Sequence, residues 1–246
     1  MAEIKYAGEF IVEECTLCTV GGLELNLLEQ LATVTIFEDI FSNSITGNIS
    51  FVDTNNLTAN ASIVGQEKLK LVLVTPNAKD DTERTMAVNF TDNPLHVYKV
   101  SSSININDRT KIFSLSFTTM EMVRNNRIRV SQSFKGEPVN DMIKKVIRGE
   151  EYLNSKKEFY YEETTNLFQI IAPNNRPFDF INNLSKRCLS KEYNFAPSFL
   201  FYETIKGYYF RTIDSMMDRK NPRMVFREVT PTDDPDNTAL NLTNIL

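Results

Sequence analysis

The residue types able to do chemistry are few in this chain and poorly placed for it. His96 is the single histidine among 246 residues. That excludes metal sites built from several imidazoles and any mechanism that needs two. His96 sits between Leu95 and Val97 in a strand-like run, the position of an outward or partly buried strand residue rather than a general base. Cys15-Thr16-Leu17-Cys18 has the spacing of a redox or zinc-binding pair. A redox pair opens a helix beside a βαβ unit. Here the surrounding residues favour a strand, where positions three apart face opposite sides. A zinc site would need two further ligands, and Cys188 and His96 are the only other candidates among cysteines and histidines. The cysteines therefore read as small apolar core fillers.

Carboxylates are numerous enough for two-carboxylate hydrolysis. Yet Glu13-Glu14, Glu150-Glu151 and Glu162-Glu163 are adjacent pairs on surface-like segments, the pattern of a solvated face. The eight glycines form no phosphate-cradling pattern. Neither G-x-S-x-G nor H-E-x-x-H occurs. Arg124, Arg127 and Arg129, with Lys135 nearby, make a basic cluster without interleaved aromatics. It reads as a protein contact or a solvated face rather than a nucleic-acid site. The sequence thus predicts no enzyme and no catalytic, cofactor-binding or metal-binding residues.

The elements that carry these residues look like a packed globular chain. Hydrophobic residues make up 41% and charged residues 24%, enough apolar surface for a core. A net charge of −5 argues against a surface that grips phosphates and suits one past which DNA slides. No apolar run approaches the roughly 20 residues of a membrane span, and Met1-Ala2-Glu3-Ile4-Lys5 lacks a basic-then-apolar leader. Three cysteines, an odd number, offer no disulfide framework and fit folding in a reducing cytoplasm.

The first half reads as closely spaced strands around residues 10–17, 32–39, 45–51, 68–74, 86–90, 95–100 and 111–118, with a turn at Gly21-Gly22 and a Ser-rich stretch ending at Asn107-Asp108. Such a series predicts an antiparallel sandwich or barrel. Near residue 119 the period changes. Val139, Met142, Ile143, Val146 and Ile147 recur at helical spacing after Pro138. A second helix starts near Pro177 with the stripe Phe178, Ile181, Leu184, Cys188 and Leu189. Leu167–Ile171 reads as a strand between them. Phe199–Glu203 and Tyr208–Thr212 then form a hairpin across Thr204–Gly207, with Gly207 at positive φ. Residues 231–237 read as an acidic, Pro-containing linker. The fold class predicted is α+β, mainly antiparallel β. A barrel-like domain (1–120) precedes an α/β domain with a second, partial barrel unit (121–230), and an acidic tail follows (231–246).

The order of these elements resembles a known family, the hub subunits of contractile phage-tail baseplates. These are related to the N-terminal region of valine-glycine repeat spike proteins of type VI secretion. The resemblance rests on several stretches: Ile45–Asp53 followed by Ile63-Val64-Gly65-Gln66-Glu67; Val97–Val100 through Phe113–Phe117; Met122–Pro138, read as an arginine-rich turn, an apolar strand and a helix start; and Arg176–Arg187, similar to a D-F-[IL]-x-x-L helix, with the hairpin after it. It runs from about residue 31 to 214. Members of the family usually continue further and complete a second barrel, whereas this sequence stops at Leu246.

The resemblance implies a structural role in the virion, in a tail baseplate assembled in the host bacterial cytoplasm. It implies a homotrimer that forms a pseudo-six-fold ring between a tail tube and a central spike, with a channel for DNA. Implied partners are further copies of the chain, the spike protein, and a tail-tube or tube-initiator protein. Tape-measure and baseplate wedge proteins are further candidates; a membrane is not. No cofactor is implied. The alternatives are a hub of a type VI-like or other contractile injection spike, an OB-like binding module, which would need a basic aromatic groove, and a carboxylate hydrolase.

Overall fold

The computed structural model describes residues 10–53, 63–74, 87–107, 110–165, 167–218, 227–228 and 241–242. Its first part is one strongly curled antiparallel sheet. The strands are β1 (Ile11–Cys18), β2 (Glu24–Asn26), β3 (Leu31–Phe37), β4 (Thr46–Asp53), β5 (Lys68–Val74), β6 (Ala87–Asn89), β7 (Leu95–Asn107) and β8 (Thr110–Thr118). They form an eight-stranded sheet in the order β2-β1-β5-β7-β8-β4-β3, with β6 on β5. Alternation selects its buried face. Cys15, Leu17, Ile49, Phe51, Leu69, Leu71, Leu95, Val97, Phe113, Leu115 and Phe117 point inward and form one hydrophobic core. Phe113 keeps the inward register of Leu115 and Phe117, and Ile112 lies between two inward positions on the other side of the strand. The Ser-rich stretch is no loop: β7 continues through it to Asn107. Gly47 is required where β4 passes close to its neighbours. A Cβ there would collide with the Phe117 ring and the Thr35 carbonyl.

The second part has its own core. It contains α1 (Met120–Arg127), β9 (Ser133–Pro138), α2 (Val139–Arg148), β10 (Phe159–Tyr161), β11 (Leu167–Ile171), α3 (Pro177–Ser185), β12 (Phe199–Thr204), β13 (Gly207–Thr212) and α4 (Ile213–Met217). Strands β14 (Arg227–Glu228) and β15 (Asn241–Leu242) pair with each other. α2 buries the predicted stripe of Val139, Met142, Ile143, Val146 and Ile147. The tested pattern of α3 also holds. Phe178, Ile181 and Leu184 are buried, and the Phe178 ring lies 5.9 Å from Phe201 and 6.3 Å from Tyr208 of the hairpin. The hairpin turns at Gly207 (φ +141°), where a side chain would strike the Glu158 carbonyl.

Two readings need correction. α3 ends at Ser185, so Cys188 is buried beyond the helix rather than on its stripe, and Leu189 lies past the turn at 186–187. The arginine-rich turn is the helix α1. Its inward residues are polar, Glu121 and Asn125, which inverts the usual apolar stripe. Asn125 Oδ1 accepts the Phe178 amide (2.8 Å) and so caps α3 from a distance. The described strands after Thr119 make three small sheets, β10-β13-β12, β11-β9 and β14-β15, with β10 parallel to β13. The acidic linker 231–237 lies outside the described residues.

Candidate assembly interface

The residues singled out for chemistry are scattered, and packing explains them. Cys15 is buried in the sheet core, where burial and then the charge of Glu14 push its thiol up to about 12. Burial does the same to Cys188. Cys18 lies across the pleat on the other face, its thiol raised by burial and by its hydrogen bond to Glu24. His96 is partly buried on β7, and burial followed by the nearby charge of Lys68 lowers its pKa, leaving it neutral at pH 7. Among the described residues, no three His, Cys, Asp or Glu side chains gather as metal ligands. Arg124 donates to the Leu153 carbonyl (3.3 Å), and Arg129 donates to the Ile128 carbonyl (2.9 Å). Lys135 is exposed.

Not every acidic pair is a solvated face. Glu162 is buried and receives the amide (3.0 Å) and hydroxyl (2.9 Å) of Thr212 as well as the Ser190 hydroxyl, whereas its neighbour Glu163 is exposed. Glu67, of the Gly65-Gln66-Glu67 stretch, is fully buried. Its carboxylate accepts the amides of Val64 (2.7 Å), Gly65 (3.0 Å) and Gln66 (3.0 Å), which fixes the entry to β5. Both glutamates organise backbone rather than meet a substrate.

What remains unpartnered is a sheet edge. β3 ends the eight-stranded path, and residues 32–37 make no hydrogen bond to any described residue outside β4. The strand Leu31-Ala32-Thr33-Val34-Thr35-Ile36-Phe37 has no charge and no proline, two of the devices that blunt an edge, and its one pairing irregularity lies at its start, between Leu31 and Thr33. At the other end, β2 has only three residues and pairs with Thr16–Cys18, and the Leu27 amide donates to the Cys15 carbonyl (2.9 Å), so among the described residues 11–14 of β1 form a second stretch of open edge. Beyond β3, Phe37, Ile40 and Phe41 are exposed, Phe41 to 75%. Thr33, Thr35, Asn48, Ser50, Ser114 and Ser116 share the outer face of β3, β4 and β8. They are tied by Ser50–Ser114 (2.8 Å) and Ser116–Asn48 (2.8 Å) bonds. An uncharged face beside an open edge suits strand addition by another protein.

Comparison with solved structures places this architecture. The tail protein from Neisseria meningitidis MC58 matches at a TM-score of 0.55 over 93% of this chain and 56% of its own, with 12% sequence identity. The chain shares its fold with part of that tail protein. A 43 kDa tail protein of prophage MuSo2 from Shewanella oneidensis matches at 0.50, over 80% of this chain and 52% of its own, with 10% identity. A Francisella PdpA-VgrG complex gives 0.47, with 12% identity, over 93% of this chain and 33% of its own. The chain therefore spans little more than half the length of the two tail proteins. No family model matches the sequence, and no curated protein does.

Proposed function

We propose that the protein is a non-catalytic hub subunit of a contractile phage-tail baseplate. Three copies form a pseudo-six-fold ring that joins the tail tube to the central spike and leaves a channel for DNA. Residues 1–120 act as the barrel-like tube domain and 121–230 as an α+β domain with a second, barrel-like unit, with 231–246 as a tail. The observation that carries this reading is the open, uncharged β3 edge on a curled sheet shared with tail proteins. In a ring, β3 of one copy pairs with the open stretch of β1 in the next, a heterologous contact that closes after a fixed number of copies. The contact satisfies backbone groups on both edges and covers Phe37, Ile40 and Phe41. The spike protein and a tube or tube-initiator protein are the expected partners on the two sides of the ring. The net charge of −5 and the uncharged outer face favour passage of DNA without specific binding. The site of action is the virion tail. Particle images of the purified chain with its spike test this reading. Three-fold rings are expected, and single unassociated chains at micromolar concentration contradict it.

A further inference from the structure

The two cores meet through charge and hydrogen bonds more than through apolar packing. The sheet core and the second core have no buried residue in common, and Ile205 at the tip of the β12–β13 hairpin packs on the sheet core. Hydrogen bonds also cross the join. Asn43 and Asn182 exchange amide hydrogen bonds (3.0 and 2.8 Å), Asn43 also donates to the Phe201 carbonyl (2.8 Å), and Ile205 N–H donates to Glu38.

At the centre lies a buried ionic group. Lys157 Nζ is 2.5 Å from Glu203 and 2.8 Å from Glu121, with Lys157 12% exposed, Glu121 7% and Glu203 fully buried. Glu203 reaches across the join, where its carboxylate accepts the Ile45 amide (2.9 Å) and the Thr119 hydroxyl (2.9 Å). Ser155 holds Glu121 in place (2.6 Å). Two carboxylates thus share one ammonium, which leaves the site one negative charge in excess. The other ionisable neighbours do not correct this. Tyr208 is buried beside the group, its ring 5.9 Å from Lys157 Nζ and its hydroxyl without a well-formed hydrogen bond. His96 feels Glu121 and Lys157 but is held neutral, chiefly by burial and Lys68, with Arg127 adding to the effect. Lys156, Glu158 and Lys206 line the mouth of a cleft of about 250 Å³ whose wall includes Lys157 and Glu203.

We infer that Glu121, Lys157 and Glu203 form a protonation-sensitive joint that fixes the angle between the sheet and the helix-bearing unit. Losing the ammonium leaves two like charges buried together and drives the joint open. Adding a proton removes the excess charge and tightens it. The sign follows from Glu203. Burial raises its pKa above 4.5, against the opposing pull of Lys157. Its contribution is therefore fully present below pH 4.5 and is lost as pH rises through the raised value. Burial works to strip the proton from Lys157, but Glu203 and Glu121 outweigh it and raise its pKa above 10.5, so it stays charged throughout that range. A joint of this kind would set whether the sheet edges of neighbouring copies meet at the correct angle.

Amide hydrogen exchange on the full chain, corrected for intrinsic rates, reads the joint at Ile45. In Lys157→Met at pH 8, Ile45 should exchange at least about tenfold faster while Ile49 and Phe210 keep their protection, and protection at Ile45 should return near pH 5. Unchanged protection at pH 8, or equal loss at both pH values, would overturn the inference. Should Lys157→Met fail to fold, Glu203→Gln decides. It keeps an oxygen acceptor for Ile45 and leaves Lys157 paired with Glu121 alone. Ile45 should be better protected at pH 5 than at pH 8 in the unaltered chain and equally protected at both in Glu203→Gln, whereas an unaltered chain without that difference, or a variant that keeps it, refutes a role for Glu203 as the titrating group.

Discussion

The eight-stranded sheet and the small β10-β13-β12 sheet treat their edges in opposite ways. β12 is an edge strand, yet its outer side is occupied: Asn43 bonds the Phe201 carbonyl, Glu38 takes the Ile205 amide at the hairpin tip, and Glu203 bonds Ile45. β3 is an edge strand of similar length with no such partner among the described residues and no charge along it. Among the described residues, the chain therefore closes one edge with its own side chains and leaves the other open. An unguarded edge is an aggregation hazard unless something specific pairs with it. The contrast therefore favours an assembly edge at β3.

Core truncations sharpen the comparison by the largest margin, since each unit must be stable by itself for its edge to matter. Ile181→Ala or Leu184→Ala, fully buried beneath the hairpin, should each cost about 2–5 kcal/mol in chemical denaturation. Ile49→Ala in the sheet should cost a similar amount. Small effects in α3 with large effects in β4 would show that the helix does not hold the second unit. Gly47→Ala forces a methyl against Phe117 and Thr35 and should cost about 1–3 kcal/mol by overpacking. An unaltered midpoint there would show that β3, β4 and β8 are not packed as described.

Thiol chemistry probes both cores without mutation. With their thiols pushed up to about 12 by burial, Cys15 and Cys188 should resist alkylation at pH 8 until the chain unfolds. Mass spectrometry after a timed iodoacetamide pulse reads this, and rapid labelling of Cys188 in the native protein would expose a loosely packed second core. The smallest effects belong to the outer face. Lys186 and Arg187 are exposed, and alanine at either should change stability by no more than about 0.5 kcal/mol. A loss of assembly without a loss of stability at these positions would move a contact surface to the end of α3.

Much of this was legible in the sequence. Alternation in Lys68–Val74 and Phe113–Phe117, and the helical spacing of Val139 to Ile147, report which side chains are buried, and burial is what the core requires. The hairpin at Gly207 was legible because a positive φ there excludes most residues. α1 was not, because it buries Glu121 and Asn125 and exposes Met120, so its pattern contradicts amphipathic logic. The joint was hidden for the same reason. Glu121, Lys157 and Glu203 are far apart in the chain, and a lone charged residue reads as solvated until the fold brings its partners. Glu162 misled in the same way beside its exposed neighbour Glu163. The open edge of β3 could not be read either, because pairing order is a long-range property and local sequence does not encode it.

The most direct test of the assembly edge is the mass of the chain in solution, by light scattering across a concentration series, compared with the Thr33→Lys/Thr35→Lys double variant. Both threonines are exposed, so the substitutions should leave monomer stability within about 0.5 kcal/mol while placing like charges on the strand that must pair. The unaltered chain, alone or with its spike protein, should reach the mass of three copies, and the variant should remain a folded monomer. A stable monomer for the unaltered chain even with the spike present, or a trimer that the two lysines do not disturb, would contradict assembly through β3.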